Sequence, residues 1–269
     1  DGGIEVTTTV ERYLEGRHAV VTGASRGIGA AIAAALARRG AHLTLMARSA
    51  ENLAEEAAAL QRAFGGRTGA VTCDVTDDAS VAAAFAHAVR DRGEVHVLVN
   101  NAGAAASAPF GETTRAVWDE MLAVNLTGAW ACTTQVLPAM LAARHGRIVN
   151  VASTAGLRGY KMTSAYCAAK HGVVGLTRAL AVETAKRGIT VNAVCPGYTD
   201  TSLTDRTVRH LVGALGTSPD EAREILVRTI PRGTLTAPEE VAAAVAWLCA
   251  PEAAAVTGVA LPVAGGEIA

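Results

Sequence analysis

The feature that most constrains this chain is an alternation. Short runs rich in Val, Ile and Leu, at residues 18–21, 42–46, 68–72, 96–100, 147–152, 190–194 and 259–263, are separated by longer, Ala-rich stretches. Runs this short and apolar, bounded by Gly or polar residues, have the signature of strands buried on both faces. The stretches between them have the length and stop signals of helices. Those at 27–39, 51–64, 78–92, 114–144 and 164–187 end at or near Gly40, Gly65-Gly66, Gly93, Gly146 and Gly188. Glycine terminates helices because it adopts the left-handed conformation cheaply. The last, at 238–249, opens on Pro238 and stops before Pro251, which fits proline's preference for a first helical turn. Repeated strand–helix–strand units imply a parallel sheet with helices on both faces and right-handed crossovers. The expected fold class is therefore α/β: one doubly wound, seven-stranded parallel sheet.

The 269 residues suit a single large domain. Residues 1–12 read as a tail and 13–269 as the domain. Residues 198–236 carry no strand of their own, only Gly, Pro and Thr punctuation around two short helical patterns. That segment is expected to form a mobile lid over the sheet. Half of the chain is apolar and the net charge is −1, with no Lys/Arg cluster, so a nucleic-acid partner is not expected. The five cysteines, Cys73, Cys132, Cys167, Cys195 and Cys249, are odd in number and widely spaced, without a CxxC pair. A disulfide scaffold and a zinc site both fit poorly, and no metal is expected. No charge-free run has transmembrane length, and no basic-then-apolar leader is present. A cytoplasmic location away from membranes is expected.

The first strand runs into Thr22-Gly23-Ala24-Ser25-Arg26-Gly27-Ile28-Gly29. Glycine spacing alone says little, but here the turn follows a strand and opens a helix. Gly23 suits a tight turn, Gly27 a close approach to a pyrophosphate at the helix N-terminus, and Gly29 close helix–strand packing. This makes the sheet a Rossmann-type dinucleotide-binding fold. The second strand leads into Ala47-Arg48-Ser49, without the acidic residue that would bind NAD ribose hydroxyls. Arg48 and Arg26 could instead meet a 2′-phosphate. The cofactor expected is NADP(H), and the other reading of each Arg is a solvated surface residue.

Tyr166 and Lys170 lie four apart on a predicted helix, hence on one face. A nearby ammonium is expected to lower the phenol's pKa and fit it for proton exchange with a carbonyl oxygen. Ser153 follows the fifth strand, where such sheets present active sites, and its hydroxyl could bind the same oxygen. Taken singly, a Tyr-x-x-x-Lys pair is also what a packed Tyr beside a surface Lys would give.

With these motifs in order, the chain resembles the classical short-chain dehydrogenases/reductases over residues 14–266. Asp74 and Val75, in Cys73-Asp74-Val75, look like the family's adenine-contacting step. Asn101, Ala102 and Gly103, after Asn100, look like the segment lining the cofactor. Asn125, in Val124-Asn125-Leu126-Thr127-Gly128, matches a catalytic asparagine that completes a tetrad with Ser153, Tyr166 and Lys170. Pro196, Gly197, Thr199 and Thr201 resemble the segment that holds the carboxamide. The resemblance implies hydride transfer to a carbonyl carbon, with Tyr166 giving the proton and Ser153 positioning the carbonyl. It further implies that Lys170 binds the nicotinamide ribose and that Asn125 supports a relay water. Gly23, Ser25, Arg26, Gly27, Ile28, Gly29, Arg48 and Ser49 complete the implied cofactor contacts.

The substrate is less defined. Ala104, Ala105, Ala106, Thr154, Ala155, Leu157, Tyr160, Met162, Tyr198 and Leu203 are expected to border the pocket, with no carboxylate among them. Such a wall suits an apolar ketone or acyl chain. In character the chain resembles the 3-oxoacyl-thioester and polyketide ketoreductases of the family. Arg144 and Arg187 fall where carrier-protein reductases place docking cations, and equally where helix dipoles attract them. The alternative activity is a dehydrogenase of a free cyclic, steroid or polyol-type alcohol. A non-catalytic NADP-binding regulator belongs to another class, and the complete tetrad argues against it. Apolar helix surface such as Ala129, Ala131 and Leu137 suggests a partner subunit, and the resemblance implies a homotetramer. The other reading is a monomer with an Ala-rich surface.

Overall fold

The computed structural model describes residues 11–268. Of the tail read over 1–12, only the exposed Glu11 and Arg12 fall within the described residues, and Leu14 is already packed in the core. Seven strands form one sheet: β1 (His18–Thr22), β2 (His42–Ala47), β3 (Thr68–Thr72), β4 (Val97–Asn100), β5 (Gly146–Val151), β6 (Ile189–Pro196) and β7 (Ala260–Val263). Every pairing is parallel and the order is β3-β2-β1-β4-β5-β6-β7. The seven expected strands are thus present, with ends shifted by one or two residues.

The helices are α1 (Gly27–Arg38), α2 (Ala50–Phe64), α3 (Asp78–Arg92), α4 (Arg115–Leu122), α5 (Gly128–Ala143), α6 (Ser164–Thr184), α7 (Ser202–Leu215), α8 (Pro219–Val227) and α9 (Pro238–Leu248). Side chains alternate along each strand, so the sheet feeds two cores. Ala19, Val21, Leu43, Leu45 and Val99 pack on one face against α1, α2 and α9. Val20, Met46, Leu98, Ile148 and Val191 pack on the other against α3 and α5. Burial on both faces explains why the strand sequences are continuously apolar.

The sequence pattern predicts one long helix over 114–144, and the structure divides it. A π-helical turn, Ala123–Thr127, separates α4 from α5. The cause is local. Asn125 Nδ2 donates to the Met121 carbonyl oxygen at 3.0 Å, the acceptor that a regular helix would offer to the N–H of residue 125. A side chain inserted into the ladder forces the wider turn.

Strand order reverses between β1 and β4. Ligands of such sheets bind in the crevice beyond the carboxyl ends at that switch point. The segment 198–236 forms α7 and α8, and a single bridge, Thr199 to Thr236, joins its two ends.

Candidate active site

A cleft of about 870 Å³ runs along the carboxyl ends of the strands. Its floor starts at the glycine turn. Gly23 has φ +64°, and a Cβ there would lie 2.9 Å from the Ala102 Cα. A Cβ on Gly29 would collide with the Gly23 carbonyl and sit 2.5 Å from Asn101 Nδ2. Gly29 therefore packs against the turn itself as well as the helix. Asn101 fixes the same turn by donating to the Thr22 and Gly23 carbonyls at 3.0 and 3.1 Å. The Thr22 hydroxyl accepts from the backbone N–H groups of Asn101 and Ala102.

The helix that follows is open at its positive end. Asp77, Thr114 and Ser218 cap α3, α4 and α8 with their side chains, whereas α1 has no side-chain cap and no acidic residue in its first turn. Free N–H groups facing a cleft suit a phosphate. Arg26 and Arg48 are both exposed at this end, together with Ser49. Thr76, through its backbone N–H and then its hydroxyl, holds the Asp74 carboxyl below the usual carboxylate range, and Arg48 adds to the effect. The residues present thus fit a dinucleotide: no Cβ fills the cradle, and its donors lack competing acids.

The four expected catalytic side chains converge at the middle of the cleft. α6 carries Tyr166 and Lys170 on one face. Lys170 Nζ lies 5.7 Å from the Tyr166 ring centroid and donates to the Val151 carbonyl at 2.9 Å. Ser153 ends the β5 segment, where its Oγ accepts from the Ala155 N–H. Asn125 is buried, donates to the Ala104 carbonyl at 2.9 Å and accepts from the Ala104 N–H. A Cβ on Gly103 would meet Asn125 Oδ1 at 2.8 Å and Lys170 Nζ at 3.6 Å. The asparagine and the lysine therefore border one point.

The pKa values correct an expectation. Burial pushes the Tyr166 phenol up to about 12, with Ser153 opposing through a hydrogen bond. Burial brings Lys170 down to about 8. Desolvation of the phenolate is the largest effect and outweighs the hydrogen bond with Ser153. Tyr166 then holds its proton at neutral pH, which is the state a proton donor needs.

Residues 17–211 match the family model described as short chain dehydrogenase. The chain belongs to this family. The 3-oxoacyl-[acyl-carrier-protein] reductase of Vibrio cholerae is 40% identical over 254 residues, covering 94% of this chain and 98% of the relative. Cis-4-hydroxycyclohexanecarboxylate dehydrogenase of Sinomonas cyclohexanicum is 44% identical over 260 residues, covering 96% and 99%. Among solved structures, a single-site variant of actinorhodin polyketide ketoreductase with NADPH superimposes with a TM-score of 0.90 at 42% identity, covering 93% of this chain and 97% of that one.

Within this short-chain dehydrogenase, all nineteen expected cofactor contacts border the cleft, from Gly23 to Thr201. Nine of the ten expected pocket residues do so too: Ala104, Ala105, Ala106, Thr154, Ala155, Tyr160, Met162, Tyr198 and Leu203. Leu157 does not. It packs under the site with Ala152, Val173 and Cys195, because the turn after Ser153 points it inward. A carboxylate outside that set, Glu120 from α4, also borders the cleft. Sequence reading misses Thr207, His210 and Leu211 of α7 and Leu226 of α8 in the lining, although the alternation of polar and apolar residues in 202–227 marks two amphipathic helices.

Two surface readings change. Ala131 lies in the core rather than at the surface, and Leu137 packs partly against it. The exposed apolar side chains of α5, α6 and α9 are instead Trp130, Val182 and Trp247. Arg144 and Arg187 meet at the far end of α6, where Arg144 Nη2 donates to the Lys186 carbonyl. Seventeen residues separate Lys170 from Arg187, roughly 25 Å of helix, so neither cation stands beside this chain's own active site.

No helix among the described residues is long and apolar enough to cross a membrane. The five cysteines are buried and unpaired with one another.

Proposed function

We propose that the protein reduces a ketone to a secondary alcohol with NADPH, on a 3-oxoacyl thioester or a polyketide-like ketone. The observation that carries the reading is the convergence of Ser153, Tyr166, Lys170 and Asn125 at the cleft's centre. When bound, the nicotinamide supplies the hydride that the carbonyl carbon receives. Ser153 and Tyr166 hold the carbonyl oxygen, and Tyr166 gives it a proton, so that the carbon gains hydride and the oxygen gains H⁺. Lys170, mostly charged at neutral pH, faces the phenolate left behind and restores its proton. Asn125, anchored on Ala104 and bordering the same point as Lys170, would support a water that returns a proton to Lys170. Positioning and electrostatics are the protein's contribution.

Arg26 and Arg48, with no acid at Ala47, favour the 2′-phosphate of NADPH over the bare ribose of NADH. The exposed Trp130, Val182 and Trp247 support assembly with further copies, and a homotetramer is the proposed state. A free cyclic alcohol is the second substrate reading, favoured by the 44% identity to the hydroxycyclohexanecarboxylate enzyme. NADPH oxidation on an acetoacetyl thioester, set beside simple cyclic ketones, separates the two. A kcat/KM at least tenfold higher on the thioester supports the first reading, and the reverse order supports the second. Turnover of neither removes the proposal.

A further inference from the structure

A carboxylate lies buried behind the substrate wall. Glu267 follows β7, and its side chain is 1% exposed. Its Oε1 accepts from the Tyr160 hydroxyl at 2.5 Å and from Arg158 Nη2 at 3.2 Å. Arg158 Nη1 also donates to the Glu267 carbonyl at 2.9 Å, and its guanidinium lies 4.6 Å from the Tyr160 ring centroid. The Tyr160 and Thr154 hydroxyls are 2.8 Å apart. Oε2 has no hydrogen-bond partner and lies 2.5 Å from where a Gly197 Cβ would stand. Tyr160 and Thr154 border the cleft, but Glu267 does not. The proposed reduction uses none of these three side chains.

The chemistry of the chain runs in one direction. A carboxylate paired with an arginine accepts rather than donates, so the Tyr160 proton is committed to Glu267. The Tyr160 oxygen then accepts from Thr154, which commits the Thr154 proton as well. Arg158 also bears on the Tyr160 oxygen, so the acceptor left to the cleft is the oxygen of Thr154, the residue after Ser153. We infer that Glu267 is a positioning residue that, through Tyr160, holds Thr154 as a hydrogen-bond acceptor on the pocket wall, so that the pocket favours ketones carrying a hydroxyl near the reacting carbonyl. This rests on the ketone-reducing reading above.

The test compares cyclohexanone with 2-hydroxycyclohexanone as substrates, with NADPH saturating. The wild-type protein is expected to prefer the hydroxyketone in kcat/KM by roughly threefold to tenfold, the worth of one neutral hydrogen bond. The difference should lie in KM. Glu267→Ala, Tyr160→Phe and Thr154→Val should each erase the preference, while Glu267→Gln, which keeps the acceptor oxygen, should retain it. The double variant Tyr160→Phe/Glu267→Ala should lose no more than either single change. A purely structural role for Glu267 would lower kcat for both ketones together and leave their ratio alone, and that result overturns the inference. So does a preference that survives Thr154→Val, which stays informative if the Glu267 variants fail to fold. Turnover of neither ketone by the wild type overturns the underlying reading as well, which keeps the two failures apart.

Discussion

On the β1–β4 side of the cleft, the Thr22 hydroxyl and the Asn101 side chain tie the glycine turn to the neighbouring strand, and no Cβ fits at Gly29. On the opposite side, α7 and α8 rest on a small cluster, Val208, Ala222 and Leu226, with Tyr198, Leu211 and Val212 around it. One wall is fixed by backbone contacts that admit few residue types. The other is an amphipathic cover with its own small core, tolerant of substitution. The first suits the proposed cofactor and the second the proposed substrate, and the relatives' names differ in substrate, from an acyl-carrier-protein reductase to a cyclohexanecarboxylate dehydrogenase.

The largest expected effect lies on the seam between the walls. Tyr166→Phe removes the proton donor and should lower kcat on the order of 10²–10⁴-fold, with the NADPH dissociation constant nearly unchanged in a fluorescence titration. Near-normal single-turnover reduction would sink the assignment. The pH profile sharpens it. Lys170 is charged below about pH 8 and loses its proton above, while Tyr166 keeps its own up to about 12. The kcat/KM for reduction should therefore be flat below neutrality and fall as pH rises through about 8. Lys170→Arg, charged throughout, should lack that fall even if slower overall.

Glycine-to-alanine changes break or support the contrast of the two walls directly. Gly29→Ala drives a Cβ into the Gly23 carbonyl and towards Asn101. It should weaken NADPH binding by more than tenfold, because the turn must move. Gly213→Ala, in α7, meets nothing within 4 Å. It should leave cofactor binding alone and stabilise the lid helix by about 0.5–1 kcal/mol. Equal effects of the two changes on NADPH binding would remove the distinction.

A smaller effect is expected at the adenine end. Arg48→Ala should weaken NADPH roughly tenfold to a hundredfold, the worth of a charge-assisted contact of about 1.5–3 kcal/mol, and leave NADH nearly unchanged. Ala47→Asp should move preference towards NADH by adding a ribose acceptor and repelling the phosphate. The ratio of kcat/KM for the two cofactors decides. A preference for NADPH that survives loss of Arg48 assigns it to Arg26.

The same contrast explains which features are legible in the amino-acid sequence. Gly23 and Gly29 announce themselves because their positions exclude a Cβ, and Tyr166 and Lys170 because helix geometry aligns residues four apart. Strands buried on both faces are legible because the pattern is continuous. The π-helical turn at 123–127 is hidden, since it arises from one Asn125 side-chain bond inside an otherwise helical sequence. Leu157 reads as a pocket residue because apolar character does not say which way a turn aims it. Glu267 is silent because its partners stand more than a hundred residues away in sequence. Arg144 and Arg187 occupy suitable places at helix ends, but the length of α6 separates them from the chemistry.

The smallest effect tests whether the lid is an independent unit. Val208 is 5% exposed and packs only within the lid cluster, whereas Val20 is fully buried in the sheet core. Truncation to Ala removes the same two methyl groups at both sites, worth about 1.5–2.5 kcal/mol including the space left behind. At Val20 the loss must appear globally, because the sheet opens only when the protein unfolds. A protein of this size should lose roughly 2–4 °C in Tm per kcal/mol. At Val208 the loss should instead appear as easier local opening. Amide exchange within 202–227 should accelerate on the order of tenfold to fiftyfold, with Tm lower by less than about 2 °C. If Val208→Ala lowers Tm as much as Val20→Ala and leaves lid exchange unchanged relative to the sheet, the lid unfolds with the sheet. The two walls would then be one cooperative structure, and the tolerance assigned to the substrate side would need another source.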